Sequence, residues 1–156
     1  MGTNFAFMNP GGIRDDIHIG PVTWGQLYTI QPFNNYLVKI SLTGQQIYDV
    51  LEQQWAGQTA PKMLQISGLT YTWDFSQAVG NRIVEVRKNG VAIDKAATYT
   101  VTVNNFLQGG GDNFAAFKNG ANAVVGPVDL DALVTYVKGL VQPFNAVIEG
   151  RVTRLN

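Results

Sequence analysis

At Thr43 the spacing of apolar residues changes period, and that change constrains the architecture more than any other feature of the sequence. From Tyr36 to Leu42 the chain alternates, with Tyr36, Val38, Ile40 and Leu42 on one side and Lys39 and Ser41 on the other, the mark of a half-buried strand. Thr43 and Gln46 then have the spacing of a capping box, and Ile47, Val50, Leu51 and Trp55 recur at helical intervals until Gly57. A strand that passes straight into a helix implies a core shared by sheet and helix.

The rest of the chain extends this pattern. Phe5 to Met8 reads as a short buried strand ending at Asn9-Pro10-Gly11-Gly12, where two glycines permit close backbone approach. Thr23 and Gln26 make another capping box, ahead of a short helix whose apolar face is Trp24, Leu27 and Tyr28 and which stops before Pro32. Leu64–Ile66, Leu69–Asp74, Arg82–Val86 and Thr98–Val103 are rich in branched and aromatic residues, and Asn89-Gly90 is a hairpin turn signal. Asn104 through Asp112 reads as an exposed, glycine-rich loop. A third helix is predicted from about Val128 to Lys138, with Leu130, Leu133, Val134 and Val137 on one face and Gly139 as its stop, followed by a closing strand within Val147–Leu155. No repeat or linker divides the chain. The prediction is one α+β domain over residues 3–156, with a mixed β-sheet and about three helices.

Composition removes several function classes. A chain of 156 residues can bury a core without staples. Its 11 basic and 11 acidic residues cancel, so no broad cationic field exists to hold a nucleic acid polymer. There is no cysteine and only one histidine, His18, which excludes thiolate chemistry and sites built from several imidazoles in one chain. No apolar run approaches the ~18 residues of a membrane span. None of Ser41, Ser67 and Ser76 lies in a G-x-S-x-G elbow, and Gly109-Gly110-Gly111 leads to Asp112 rather than to the Lys of a phosphate-binding loop. Asp15 and Asp16 are adjacent, so their side chains diverge and read as solvated charges or loop caps.

Four motifs remain: Asn9-Pro10-Gly11-Gly12-Ile13-Arg14, Pro32-Phe33-Asn34-Asn35, Ser67-Gly68-Leu69, and Phe106 through Gly109-Gly110-Gly111-Asp112. In this order and spacing they resemble the C-terminal domain of the 5'-nucleotidase family, which recognises the nucleoside. The Leu42-Thr43-Gly44 step into a helix also fits. The resemblance runs from about Phe5 to Phe117, and Asn113 departs from it where family members usually carry glycine.

The resemblance implies a fold of that domain type and a set of roles. Phe33 and Phe106 would sandwich the base, Asp112 would accept hydrogen bonds from ribose hydroxyls, and Arg14 would bridge ribose and phosphate. Asn9 and Asn35 would address the base edge, and Gly68 would let backbone approach the ligand. It also implies that hydrolysis belongs to an N-terminal metallophosphoesterase domain holding two divalent metal ions, absent from this chain, which by itself is expected to be inert. Periplasmic, cell-surface or extracellular placement follows from the family alone. Each residue also has a structural reading: the two phenylalanines as core, Arg14 as the partner of Asp15 or Asp16, and Asp112 as the cap of the next turn. A stand-alone carbohydrate- or protein-binding module is the alternative function.

Overall fold

The computed structural model describes all residues from Met1 to Asn156. Its strands form two sheets. The first is five-stranded and mixed, in the order β3-β1-β7-β2-β8, built from β1 (Phe5–Met8), β2 (Tyr36–Thr43), β3 (Gln65–Ser67), β7 (Thr98–Asn104) and β8 (Ala121–Val128). The second, in the order β6-β5-β4-β9, contains β4 (Thr70–Asp74), β5 (Ile83–Lys88), β6 (Val91–Ala92) and β9 (Val152–Leu155). Parallel pairing occurs between β1 and β7 and between β4 and β9.

Four helices accompany the sheets: α1 (Trp24–Ile30), α2 (Gly44–Glu52), α3 (Asn105–Gln108) and α4 (Asp129–Gly139). Both capping boxes form, with the Thr23 and Thr43 hydroxyls accepting from the backbone of Gln26 and Gln46 and the glutamine side chains returning the bond. The change of period at Thr43 has the expected consequence. Val38, Ile40 and Leu42 of β2 share one core with Ile47, Val50 and Leu51 of α2 and with Tyr71, Trp73 and Val86 of the second sheet. A smaller cluster joins Leu27 and Ile30 of α1 to Leu130 and Val137 of α4.

The α+β class and single domain hold, with the strands divided between two sheets and a fourth, one-turn helix. That helix, α3, lies inside the stretch predicted as an exposed loop. Asn104 is 1% exposed, and its side chain accepts from Leu107 N at 2.8 Å, which caps the turn. β8 escapes prediction because Gly126 and Pro127 interrupt it; it is an edge strand, where a missing N–H is tolerated. Tyr36, predicted on the buried face of β2, is exposed at the strand's start. Between β5 and β6, Asn89 and Gly90 both take positive φ (51° and 79°), as the tight hairpin requires.

Candidate nucleoside-recognition site

The topology brings three loops to one end of the first sheet. β1 and β7 run parallel, so their final residues, Met8 and Asn104, lead the loops that follow them out on the same side. β2 is antiparallel to β7, with Leu37 opposite Asn104, so the turn entering β2 lies there as well. These are the Asn9–Arg14, Pro32–Asn35 and Asn105–Asp112 loops, three of the four motifs legible in the sequence.

Hydrogen bonds lock the loops together. Asn104 Nδ2 donates to Asn9 Oδ1 at 3.0 Å, and Asn9 Nδ2 donates to Asp112 Oδ2 at 3.1 Å. Asn9 is 4% exposed, so its amide is a buried relay that accepts from Asn104 and gives one of its two N–H groups to Asp112. Tyr36 N donates to Asn105 Oδ1 at 2.8 Å, which ties the turn carrying Phe33 to the residue preceding Phe106. Arg14 N donates to Ile30 O at 2.9 Å, and the Arg14 guanidinium carbon stands 6.0 Å from the Phe33 ring centroid.

Neither ring is a core residue: Phe33 is 51% and Phe106 43% exposed. A side chain on Gly111 would strike the Phe106 ring, with an ideal Cβ only 2.6 Å from it, so that glycine is needed where the ring lies across the loop. Arg14 makes no ion pair with Asp15 or Asp16; its side chain donates to Gly11 O at 3.4 Å. The His18 ring lies 3.7 Å from the Asp15 carboxylate on the surface. Asp112 caps nothing with its carboxylate, which accepts from Asn9 and from Lys62 Nζ, the latter at 2.8 Å.

The other two predicted residues are placed differently. Asn35 accepts the backbone N–H of Asp129 with its carbonyl at 2.8 Å, which anchors the Phe33 turn to the start of α4. Gly68 lies at the opposite end of β1. Ser67 pairs with Ala6, and an ideal Cβ on Gly68 (φ +81°) would sit 2.2 Å from Asn4 O, so the backbone it approaches is that of Asn4. The structure therefore groups Asn9, Arg14, Phe33, Asn35, Phe106 and Asp112, and leaves Gly68 apart.

Lys62, Gln58, Asn104, Asn105 and Asp129 join the site without having been singled out. For Asn104 the signal was present as an Asn three residues before Leu107; for Lys62 and Asp129 nothing in the local sequence marks them. Asp129 is 5% exposed, and burial raises its carboxyl above the usual range, opposed by the Leu130 N–H and the Asn35 side chain. No three His, Cys, Asp or Glu side chains come together in a cluster that could hold a metal ion, so the donor set does not fit a dimetal centre. No helix is long and apolar enough to cross a membrane.

An α+β domain with an open, aromatic-flanked, carboxylate-bearing loop cluster at the end of a mixed sheet is the class that fold and site define. The profile of the family described as 5'-nucleotidase, C-terminal domain, matches residues 1–119, and the chain belongs to that family. It is 42% identical over 154 residues to the endonuclease YhcR of Bacillus subtilis, covering 97% of this chain and 12% of that protein. It is 34% identical over 145 residues to the cell wall protein Lmo0130 of Listeria monocytogenes, covering 86% of this chain and 18% of that one. Among solved structures, the 5'-nucleotidase precursor of Thermus thermophilus superposes with a TM-score of 0.90 at 40% identity, over 99% of this chain and 32% of that one. The chain thus spans a minor part of each of these relatives.

Proposed function

We propose that this domain recognises the substrate of a nucleotide-hydrolysing phosphoesterase, with Phe33 and Phe106 stacking on the base and Asp112 accepting from the ribose hydroxyls. Arg14, held by Gly11 and facing Phe33, carries the free guanidinium that would meet phosphate. The observation that carries this reading is the locked set of loops: an Asn104–Asn9–Asp112 hydrogen-bond chain ties the first loop to the third, and Phe33 and Phe106, from separate loops at this end of the sheet, are both half-exposed. Buried amides fix the carboxylate while the rings stay open to solvent, an arrangement suited to ligand binding rather than to packing.

The Asn9 amide gives one N–H to Asp112, accepts from Asn104 and is only 4% exposed, so its role in this reading is to orient Asp112 rather than to read the base. Asn35 contributes through its hold on the Phe33 turn, and Gly68 through the entry to β4. The bond-breaking chemistry belongs to a separate N-terminal domain, where a two-metal centre would supply hydroxide and polarise the phosphate; the present chain alone turns nothing over. A relative named as a cell wall protein favours placement outside the cytoplasm.

Equilibrium titration tests the reading. Adenosine and AMP are expected to bind near the millimolar range, about −4 kcal/mol. Phe106→Ala is expected to weaken binding by about 1–3 kcal/mol, enough to remove it from the measurable range. Binding of simple sugars with no response to any nucleoside would favour a carbohydrate module instead.

A further inference from the structure

Between α2 and β3, residues Gly57 to Lys62 carry no recognisable motif, yet three contacts fasten this segment to the Asp112 loop. Gln58 Nε2 donates to Asp112 O at 2.7 Å, Lys62 Nζ lies 2.8 Å from Asp112 Oδ1, and Asn113 Nδ2 donates to Gly57 O at 3.1 Å. Asp112 and Asn113 both hold positive φ, 55° and 64°, a left-handed conformation that Asp and Asn bear more readily than other side chains and that the three contacts hold in place. The segment therefore acts as a clamp on the loop.

Of the three contacts, that of Lys62 has chemical consequences beyond holding the backbone. An ammonium offers three donors and no acceptor; one of these goes to Asp112, and the other two find no partner in the protein. The Lys62 side chain is 35% exposed and that of Asp112 22%, so the pair sits at the rim of the site, open to a ligand. A carboxylate accepts at about four lone-pair positions; here one is taken by Asn9 and one by Lys62. The sugar edge of the site thus presents a free acceptor and a free donor side by side. A hydroxyl is both a donor and an acceptor, and a carboxylate alone would use only its proton.

We infer that Lys62 is a specificity-determining residue of this site, donating to the ribose 2'-hydroxyl, whose own proton goes to Asp112, so that the pair selects ribonucleosides over 2'-deoxynucleosides. This rests on the nucleoside reading above. A lysine that merely held Asp112 in place would affect all nucleosides alike; one that reads the hydroxyl affects only those that carry it.

The test compares adenosine with 2'-deoxyadenosine by calorimetric titration of the full chain and of Lys62→Met and Lys62→Arg. The unaltered protein is expected to prefer adenosine by about tenfold. Lys62→Met is expected to reduce that preference to about threefold or less, and Lys62→Arg, which keeps a donor, to restore most of it. Equal weakening of both nucleosides by Lys62→Met, or an unchanged preference, overturns the inference while leaving the nucleoside reading intact. Failure of the unaltered protein to bind either nucleoside overturns both. Should Lys62→Met not fold, a preference in Lys62→Arg equal to that of the unaltered protein supports the inference, and its loss in a folded Lys62→Arg counts against it.

Discussion

A single residue, Asp112, collects contacts from two separated parts of the chain: its carboxylate accepts from Asn9 of the first loop and from Lys62 of the segment after α2, and its backbone carbonyl accepts from Gln58 of that same segment. Its orientation is therefore set before any ligand arrives, which lowers the ordering cost of binding. Gly68 provides the contrast at the same scale, because its neighbours explain it without a ligand. Replacing it with alanine forces a Cβ against Asn4 O at a positive φ. Gly68→Ala is expected to destabilise the fold by about 1–3 kcal/mol, visible as a lower thermal midpoint, with nucleoside affinity of the folded protein unchanged. A stable Gly68→Ala protein with lost affinity would return Gly68 to the site. Residue types and spacing made Asn9, Arg14, Phe33, Phe106 and Asp112 legible, because each lies in a motif whose members are neighbours in sequence. Lys62 was invisible because its partner is 50 residues away and nothing local marks the pairing.

The turn carrying Phe33 is framed by elements rather than by its own packing: α1 enters it, β2 leaves it, α3 holds Tyr36 through Asn105, and α4 holds Asn35 through Asp129. The Asp129 carboxyl is buried at the first position of α4, with Oδ1 accepting from Leu130 N at 2.8 Å and Oδ2 left without a partner. It lines a cavity of about 490 Å³ together with Gln31, whose Oε1 is also buried and unpartnered. Because burial raises its pKa, the folded protein holds this proton more tightly than the unfolded chain does. Its contribution to stability is thus full below the unfolded carboxylate value of about 3.9 and is lost as pH rises through the raised folded value. Asp129→Asn keeps the acceptor for Leu130 N without the charge, and denaturant unfolding across the acidic to neutral range is expected to show a shallower fall of stability with pH than the unaltered protein. Identical slopes would show that this carboxyl does not govern the dependence. At this scale the sequence revealed the elements with strong periods or capping boxes, such as β2, α1 and α2. It concealed β8 and α3, where Gly126, Pro127 and the glycine run of residues 109–111 signal a loop while tertiary pairing decides otherwise.

Across the whole molecule, the two sheets and α2 form one core, and the loop cluster occupies one end of the first sheet. The domain can therefore hold its loops in register alone, whatever is joined to it. Binding without turnover follows from this account. With a divalent metal added, the chain is expected to release no phosphate from AMP, and metal-dependent release by the pure chain would place a reaction centre where the donor set provides none. The central claim, that two phenylalanines from separate loops receive one base, is tested most directly by following their ring signals in solution NMR as adenosine is added. We expect the rings of Phe33 and Phe106 to shift together along a single saturation curve, with the exposed Trp24 and Tyr28 rings of α1 unmoved. Saturable adenosine binding that perturbs other residues and leaves either phenylalanine unchanged would contradict the account.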